Sequence, residues 1–206
     1  MKLLLALLAT AVPAYVLGGI NGAIIASRVI YRKDIRKFGS GNPGLNNFYR
    51  VFGKSGALLV IAIDVFKTIA PVLFGGWVFK RYGNMQFFGQ ATAGFFVLLG
   101  HCYPVFYEFK GGKGIMAAGA ILIILDWRIA IISWGTFILI TILTRYVSLG
   151  SIIGTALFPP AMLVFGIGGF WEFVALAMCA VLIIARHQAN IKRLIKGEES
   201  KFNFRR

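Results

Sequence analysis

Residues 56–79 read GALLVIAIDVFKTIAPVLFGGWVF, a run of 24 residues in which Asp64 and Lys67 are the only charged side chains. A membrane-spanning helix needs roughly 20 consecutive apolar residues, so this stretch predicts one. Similar runs predict six more spans, at residues 3–28, 86–104, 114–126, 129–145, 149–168 and 171–186. We therefore expect an all-α integral membrane protein with seven transmembrane helices, and short half-helices and loops at one face. Residues 1–206 would form one domain.

The composition of the chain supports a lipid environment. Hydrophobic residues make up 58% of the 206 residues, and the mean hydropathy is +0.78. The formal charge of +15 would suggest nucleic acid as the partner of a soluble protein. Here the cations lie between the apolar runs, which indicates membrane topology and anionic ligands, and we expect no nucleic-acid partner. Cys102 and Cys179 show no metal-ligand or disulfide spacing, so we expect no metal site.

The distribution of cations predicts the orientation in the membrane. Seventeen of the 22 Lys and Arg residues fall in the loops and tail on one side of the seven spans, including Arg205 and Arg206. Four lie on the other side. Positively charged loops stay in the cytoplasm, so the C-terminus is expected inside and the N-terminus outside. The first apolar run is expected to be a retained span, with a cleaved signal as the alternative.

The first polar segment, residues 39–50, reads GSGNPGLNNFYR and formally matches G-x-G-x-x-G. No buried strand precedes it, so a dinucleotide site is not indicated. Ser40 or Asn42 is expected to cap a helix that has Pro43 in its first turn and runs through Arg50. A helix N-terminus backed by arginine binds anions, although a capped interfacial helix would show the same pattern. The candidate binding residues are Ser40, Gly41, Asn42, Gly44, Asn46, Asn47 and Arg50.

The second polar segment follows the third span and ends in Lys-Gly-Gly-Lys-Gly at 110–114. Its glycines would let backbone N–H groups approach an anion, and the next helix would direct its positive end at the loop. A flexible basic loop is the alternative. The fourth span has about 13 residues, or about 20 Å at 1.5 Å each, too few for a core of about 30 Å, so we expect this loop to dip into the membrane. The candidates are His101, Lys110, Gly111, Gly112, Lys113 and Gly114.

The third polar segment begins at His187 and continues as an amphipathic helix followed by a frayed tail. His187 and Asn190 are three residues apart and therefore share one helical face. A histidine beside the two other polar segments suits proton transfer, although a single interfacial histidine is usually structural. Asp64 and Lys67 lie at i and i+3 inside the second span, where we expect a structural ion pair.

Together these segments resemble the bacterial membrane glycerol-3-phosphate acyltransferases that use acyl phosphate as donor, the PlsY family. The resemblance covers nearly the whole chain and includes Asp64, Lys67 and the run Arg145-Tyr146-Val147-Ser148-Leu149. It implies a seven-helix enzyme of the bacterial inner membrane with its active site facing the cytoplasm. The enzyme would transfer a fatty acyl group to the sn-1 hydroxyl of glycerol 3-phosphate, giving lysophosphatidic acid and phosphate, the first step of phospholipid synthesis.

With this resemblance, we expect His187, Asn190, Ser40 and Lys110 to be catalytic. Arg50, Lys110 and the backbone of residues 111–114 would hold phosphate, and Arg145 and Ser148 would join the substrate site. Neither histidine is followed by the aspartate of a His-x4-Asp acyltransferase motif, so the hydroxyl proton goes either to His187 or to a substrate phosphate. No cofactor is expected. The expected partners are acyl phosphate, glycerol 3-phosphate, membrane lipid and the soluble enzyme that supplies acyl phosphate.

An anion transporter or channel is the alternative from another functional class. It would also place cations and glycines in a helical membrane protein. Such transporters have repeated halves with broken helices near the bilayer midplane. The chain shows no internal repeat, and its polar segments all fall on one predicted face.

Overall fold

The computed structural model describes residues 1–203, so Arg205 and Arg206, which contribute to the cation count, lie outside the described residues. Within residues 1–203 the chain forms eleven α-helices and no strand. Two short 3-10 turns lie at Ile35–Lys37 and Val105–Tyr107. The helices are α1 Lys2–Gly18, α2 Gly22–Tyr31, α3 Leu45–Phe52, α4 Ala57–Arg81, α5 Gln86–Cys102, α6 Ile115–Leu125, α7 Trp127–Thr144, α8 Val147–Ala156, α9 Phe158–Val164, α10 Phe170–Arg186 and α11 Gln188–Ile195.

Each of the seven predicted spans coincides with one helix or a pair of consecutive helices. Four helical segments are long and apolar enough to cross a membrane: α1 with α2, then α4, α7, and α8 with α9. A fifth is obtained if α10 and α11, which are bent by 56°, count as one span. The all-helical, membrane-type architecture agrees with the sequence, whereas the number of seven spans stays a prediction.

Helices α1, α4 and α5 pack at backbone contact because glycines lie where they cross. A Cβ added to Gly100 would stand 2.1 Å from the carbonyl oxygen of Tyr15, and one added to Gly89 would stand 2.2 Å from that of Gly75. Small residues at such crossings allow close approach of membrane helices. This packing fixes the end of α5, which carries His101, against the end of α1.

The first predicted span is broken in the structure by the turn at residues 19–21. Asn21 caps α2 by accepting a hydrogen bond from the N–H of Ile24, at 2.9 Å. Its side-chain amide also donates to the carbonyl of Pro43, at 3.0 Å. Non-helical backbone is tolerated inside a membrane protein only where its polar groups find partners, and Asn21 provides them here. The break thereby holds the first polar segment against the helices.

The predicted cap of the helix in the first polar segment is wrong. Helix α3 begins at Leu45, its N-cap is Gly44, and no side chain caps it. Pro43 precedes the helix. The side chain of Asn47 folds the segment instead, because its oxygen accepts from the N–H of Ser40 and its NH2 group donates to the carbonyl of Phe38, at 2.9 and 3.0 Å.

Candidate active site

The three polar segments meet at one cavity of about 190 Å³. Helices α3, α6, α8 and α11 surround it, together with the loop before α6 and the tail after α11. The sequence-predicted residues that line it are Ser40, Asn42, Gly44, Asn46, Asn47, Arg50, His101, Lys113, Gly114, Ser148, His187 and Asn190. Gly41, Lys110, Gly111, Gly112 and Arg145 are outside this lining. The three segments therefore meet at this cavity, although some of the residues predicted for the site do not line it.

Lys113 carries its ammonium into the cavity. Its Nζ donates to the side-chain oxygen of Asn190, at 2.5 Å. Burial lowers the pKa of Lys113 to about 8. Gly114, the N-cap of α6, and the first helical residue Ile115 also line the cavity, so the positive end of the α6 dipole faces it. The Lys113 ammonium and the N-terminus of α6 therefore both give the cavity a positive potential.

Lys110, predicted to be catalytic, lies outside the lining of the cavity. Its side chain is 72% exposed and pairs with Glu108, at 2.9 Å. The N–H groups of Gly111 and Gly112, expected to approach an anion, donate instead to the carbonyls of Cys102 and His101, at 3.2 and 3.0 Å. These bonds fold the loop back onto the end of α5, which turns Lys113 inward and leaves the side chain of Lys110 exposed.

The same loop is held from its other side by Arg186. The guanidinium donates to the carbonyls of Gly111 and Gly112, at 3.0 and 3.2 Å. Arg186 also lies over the ring of Tyr103, 5.0 Å from the ring centroid. One residue at the end of α10 thus ties the second polar segment to the third.

His187 is buried at the junction of α10 and α11 and faces the cavity. Its Nδ1 lies 2.8 Å from the carbonyl oxygen of Ile183. Because a carbonyl only accepts, Nδ1 carries the proton and Nε2 has a free lone pair. Burial lowers the pKa of His187 to about 4, so the ring is neutral at neutral pH. A neutral imidazole with a free nitrogen can accept a proton.

Glu199 is a cavity residue that the sequence analysis missed. Its carboxylate accepts hydrogen bonds from Ser148, Asn190 and Arg193, at 2.6, 2.7 and 2.7 Å. Burial alone would raise the pKa of Glu199, but these three bonds lower it below its usual value. The two glutamates at 198–199 in an otherwise basic tail could have suggested a site residue. The sequence does not show which of the two carboxylates faces the cavity.

The tail after α11 lies along the cavity, whose lining includes Glu199, Ser200 and Phe202, and the frayed end stays a prediction. The N–H of Phe202 donates to the carbonyl of Arg145, at 2.7 Å, and the Phe202 ring lies 6.3 Å from that of Tyr49. Arg145 itself is exposed. Its backbone anchors the tail, whereas Ser148, the other residue suggested from the same run, lines the cavity.

An apolar groove continues from the polar cavity between α6, α7 and α8. The two spaces share Ile115, Phe137 and Ser151 in their linings. Gly119 and Gly154 line the groove, and the ring of Trp134 packs directly on Gly119, where an added Cβ would stand 2.3 Å from it. A charged head group in the cavity could therefore extend an apolar chain into the groove.

These features define a class of protein: an all-helical integral membrane protein whose polar, cation-lined cavity adjoins an apolar groove. Within residues 1–203, no three His, Cys, Asp or Glu side chains come together in a group that could hold a metal ion. A family model described as glycerol-3-phosphate acyltransferase matches residues 8–197. The chain belongs to this family of acyltransferases, which decides against the transporter alternative.

Curated relatives that match the chain over nearly their full length are named glycerol-3-phosphate acyltransferase. The glycerol-3-phosphate acyltransferase of Albidiferax ferrireducens is 40% identical over 199 residues, which cover 94% of this chain and 88% of the relative. That of Thermoanaerobacter pseudethanolicus is 39% identical over 196 residues, with 93% of each chain covered.

Solved structures agree with the fold. The crystal structure of PlsY (YgiH), an integral membrane glycerol 3-phosphate acyltransferase, in its glycerol 3-phosphate form matches with a TM-score of 0.83 and 32% identity over 96% of both chains. The lysophosphatidic acid form of that enzyme matches with a TM-score of 0.84 and 31% identity, covering 96% of this chain and 95% of the other.

Proposed function

We propose that this acyltransferase moves a fatty acyl group from acyl phosphate to the sn-1 hydroxyl of glycerol 3-phosphate, releasing lysophosphatidic acid and phosphate. The observation that carries the proposal is the junction of a cationic, amide-rich cavity with an apolar groove. One substrate is a small phosphate ester and the other is an acyl chain that ends in phosphate. The junction offers surroundings for both.

The reaction requires the enzyme to bind and align its two substrates, and it does not require a nucleophile on the enzyme. Acyl phosphate is a mixed anhydride, so phosphate is already a good leaving group. The site has to hold two phosphates, direct the hydroxyl at the carbonyl carbon and stabilise the oxyanion that develops. The hydroxyl oxygen bonds to the carbonyl carbon, the bond from that carbon to the phosphate oxygen breaks, and the hydroxyl proton leaves.

The phosphates are held by the groups that face the cavity. Ser40, Arg50 and Lys113 supply a hydroxyl and two cations, and the N-terminus of α6 adds its dipole. Arg193 lies at the cavity beside Glu199, which takes up part of its charge. Lys110 contributes no group to the cavity, so we assign its expected role to Lys113.

The hydroxyl proton goes to His187. Its hydrogen bond to Ile183 leaves Nε2 free, and its lowered pKa keeps the ring neutral, so the Nε2 lone pair is unprotonated at neutral pH. Asn190 lies one helical turn along the same face and takes part in orienting the hydroxyl and the carbonyl. A substrate phosphate is the competing proton acceptor, and the His187 variants discussed below distinguish the two.

The acyl chain occupies the apolar groove. Phe137 and Ile115 stand at its entrance, and Trp134 lies across Gly119 further along. Because this groove lies between helices, the chain can enter from the lipid. Replacing Trp134 with alanine should widen the groove and shift the preferred donor toward longer acyl chains.

The cavity faces the cytoplasm of the bacterial cell, with seven spans in one domain, the C-terminus inside and the N-terminus outside. The cation bias of the loops supports this orientation. The residue 110–114 loop lies below the membrane surface, and labelling of single cysteines at 111 and 112 by a bulky reagent tests that depth. Glycerol 3-phosphate then arrives from the cytoplasm, and acyl phosphate arrives from the soluble enzyme that makes it.

The test is transfer by purified protein in detergent or lipid. Labelled glycerol 3-phosphate is supplied with either acyl phosphate or acyl-CoA of the same chain length. We expect 1-acyl-glycerol 3-phosphate from acyl phosphate only. Transfer from acyl-CoA alone would overturn the donor, and the absence of transfer from both donors would overturn the function.

A further inference from the structure

Beneath the cavity, Lys67 of α4 is surrounded by three acceptors. Its Nζ lies 2.8 Å from Oδ1 of Asp64, 2.5 Å from the carbonyl oxygen of Ile20 and 2.8 Å from Nδ1 of His101. The side chains of both Asp64 and Lys67 are only 2% exposed. Asp64 and His101 also line the cavity. The predicted ion pair between Asp64 and Lys67 is confirmed. Lys67 also contacts His101, which could not be predicted from the sequence.

This arrangement fixes the tautomer of His101. An ammonium has three N–H donors and no acceptor, and Nζ of Lys67 forms an ion pair with Asp64 at 2.8 Å. All three donors of Lys67 are used, one of them on Nδ1 of His101. Nδ1 is therefore the acceptor nitrogen, and the single proton of the neutral ring lies on Nε2. His187 has the opposite tautomer.

The Nε2–H of His101 is a ring donor at the cavity, which His101 lines. His101 is 4% exposed, and the hydrogen bonds of residues 1–203 include none to its Nε2. This nitrogen lies against Gly112, where an added Cβ would stand 2.3 Å away. A ring N–H at the wall of a cavity can donate to a ligand or to water that occupies it.

The cost of the ion pair also argues for a role beyond packing. Charged side chains inside a membrane-spanning helix are expensive and usually functional. Replacing a buried ion pair with apolar residues is often neutral or stabilising, so stability alone gives little reason for Asp64 and Lys67. The need to hold the His101 ring in one tautomer would explain why Asp64 and Lys67 are present.

We propose that His101 donates its Nε2–H to an anionic oxygen of the bound substrate, and that Asp64 and Lys67 are positioning residues that hold His101 in that tautomer. The inference rests on the proposed function and adds a directed neutral donor to its site. The anionic oxygen is either the developing oxyanion of the carbonyl or a phosphate oxygen. A kcat effect identifies the former and a KM effect the latter.

Two isosteric substitutions test the donor. Glutamine at position 101 places its NH2 where Nε2 stood, whereas asparagine places its NH2 where Nδ1 stood. If the acceptor is the oxyanion, His101→Asn should lower kcat by roughly a hundredfold, the usual cost of one lost oxyanion donor. If the acceptor is a phosphate oxygen, it should raise KM by roughly ten- to a hundredfold. His101→Gln should retain most of the activity. Equal losses in both variants would overturn the role of Nε2.

The tautomer can be observed directly by nitrogen NMR, because the chain has only two histidines. In protein labelled with 15N-histidine, the His101 signals should show a protonated Nε2 and an unprotonated Nδ1. Lys67→Met should abolish that pattern and lower activity as His101→Asn does. Thr68→Val is the control, since Thr68 is equally buried on α4 but its hydroxyl donates to the carbonyl of Asp64, at 2.7 Å.

A protonated Nδ1 in the unmodified protein, or an unchanged pattern in Lys67→Met, would overturn the inference. The spectrum of the unmodified protein decides the question even if Lys67→Met does not accumulate. The spectrum is independent of which acyl donor the enzyme uses. The experiment therefore distinguishes an error in the proposed acyl donor from an error in the role proposed for His101.

Discussion

Nζ of Lys113 lies 2.5 Å from Oδ1 of Asn190, joining a loop and a helix that are 77 residues apart in the chain. The NH2 group of Asn190 in turn donates to Glu199, which also accepts from Ser148. The second and third polar segments are thus connected through one asparagine. This connection places a partly buried cation, an amide and a histidine around one small cavity.

Lys113 and Lys110 should differ sharply in their contribution to catalysis. Lys113→Met removes a partly buried cation from the cavity, and a hydrogen bond to a charged group is worth about 1.5–3 kcal/mol, so kcat/KM should fall roughly ten- to a hundredfold. Lys110→Met removes an exposed cation paired with Glu108 and should stay close to the unmodified enzyme. Initial rates with both variants check this, and a larger loss in Lys110→Met would contradict the assignment.

The pH dependence of kcat/KM should report Lys113. Its cationic form holds phosphate, and burial lowers its pKa to about 8, so kcat/KM should fall as the pH rises through that value. Arginine stays protonated to above about pH 12, so Lys113→Arg should shift this decline to higher pH. An unchanged basic limb in Lys113→Arg would show that another group titrates there.

His187 should be the proton acceptor. General-base catalysis contributes roughly 10²- to 10⁴-fold, so His187→Ala should reduce kcat by that order. Gln188→Ala is the matched control, because Gln188 is the exposed neighbour on the same helix. Near-normal turnover in His187→Ala would instead leave a substrate phosphate as the acceptor.

Glu199 should stabilise the tail over the cavity. Glu199→Ala leaves Ser148, Asn190 and Arg193 without their shared acceptor, which should cost about 1–3 kcal/mol. Glu198→Ala removes an exposed carboxylate next to it and should change little. Thermal unfolding of both variants in detergent should show a lower Tm for Glu199→Ala only. Equal Tm values would contradict the structural role of the inward carboxylate.

Hydropathy and residue type were enough to predict the helical membrane fold and the meeting of three polar segments. They could not distinguish Lys110 from Lys113, which are three residues apart, because loop hydrogen bonds to Cys102, His101 and Arg186 decide which lysine turns inward. The break at residues 19–21 was missed for a similar reason. Its polar groups are satisfied by distant partners that no local pattern shows.

The same limit applies to the two histidines. Their positions suggested the site, but their tautomers depend on Ile183 for His187 and on Lys67 for His101. One partner is four residues away and the other is on a different helix. Only the folded chain shows that one ring is arranged to accept a proton and the other to donate one.

The central claim is that both phosphates occupy the cavity together and the acyl group moves directly between substrates. Initial rates of phosphate release, with acyl phosphate and glycerol 3-phosphate both varied, test it most directly. Direct transfer predicts intersecting double-reciprocal lines, with phosphate released only when glycerol 3-phosphate is present. Parallel lines and a burst of phosphate without glycerol 3-phosphate would contradict it, because they are the signature of an acyl-enzyme intermediate.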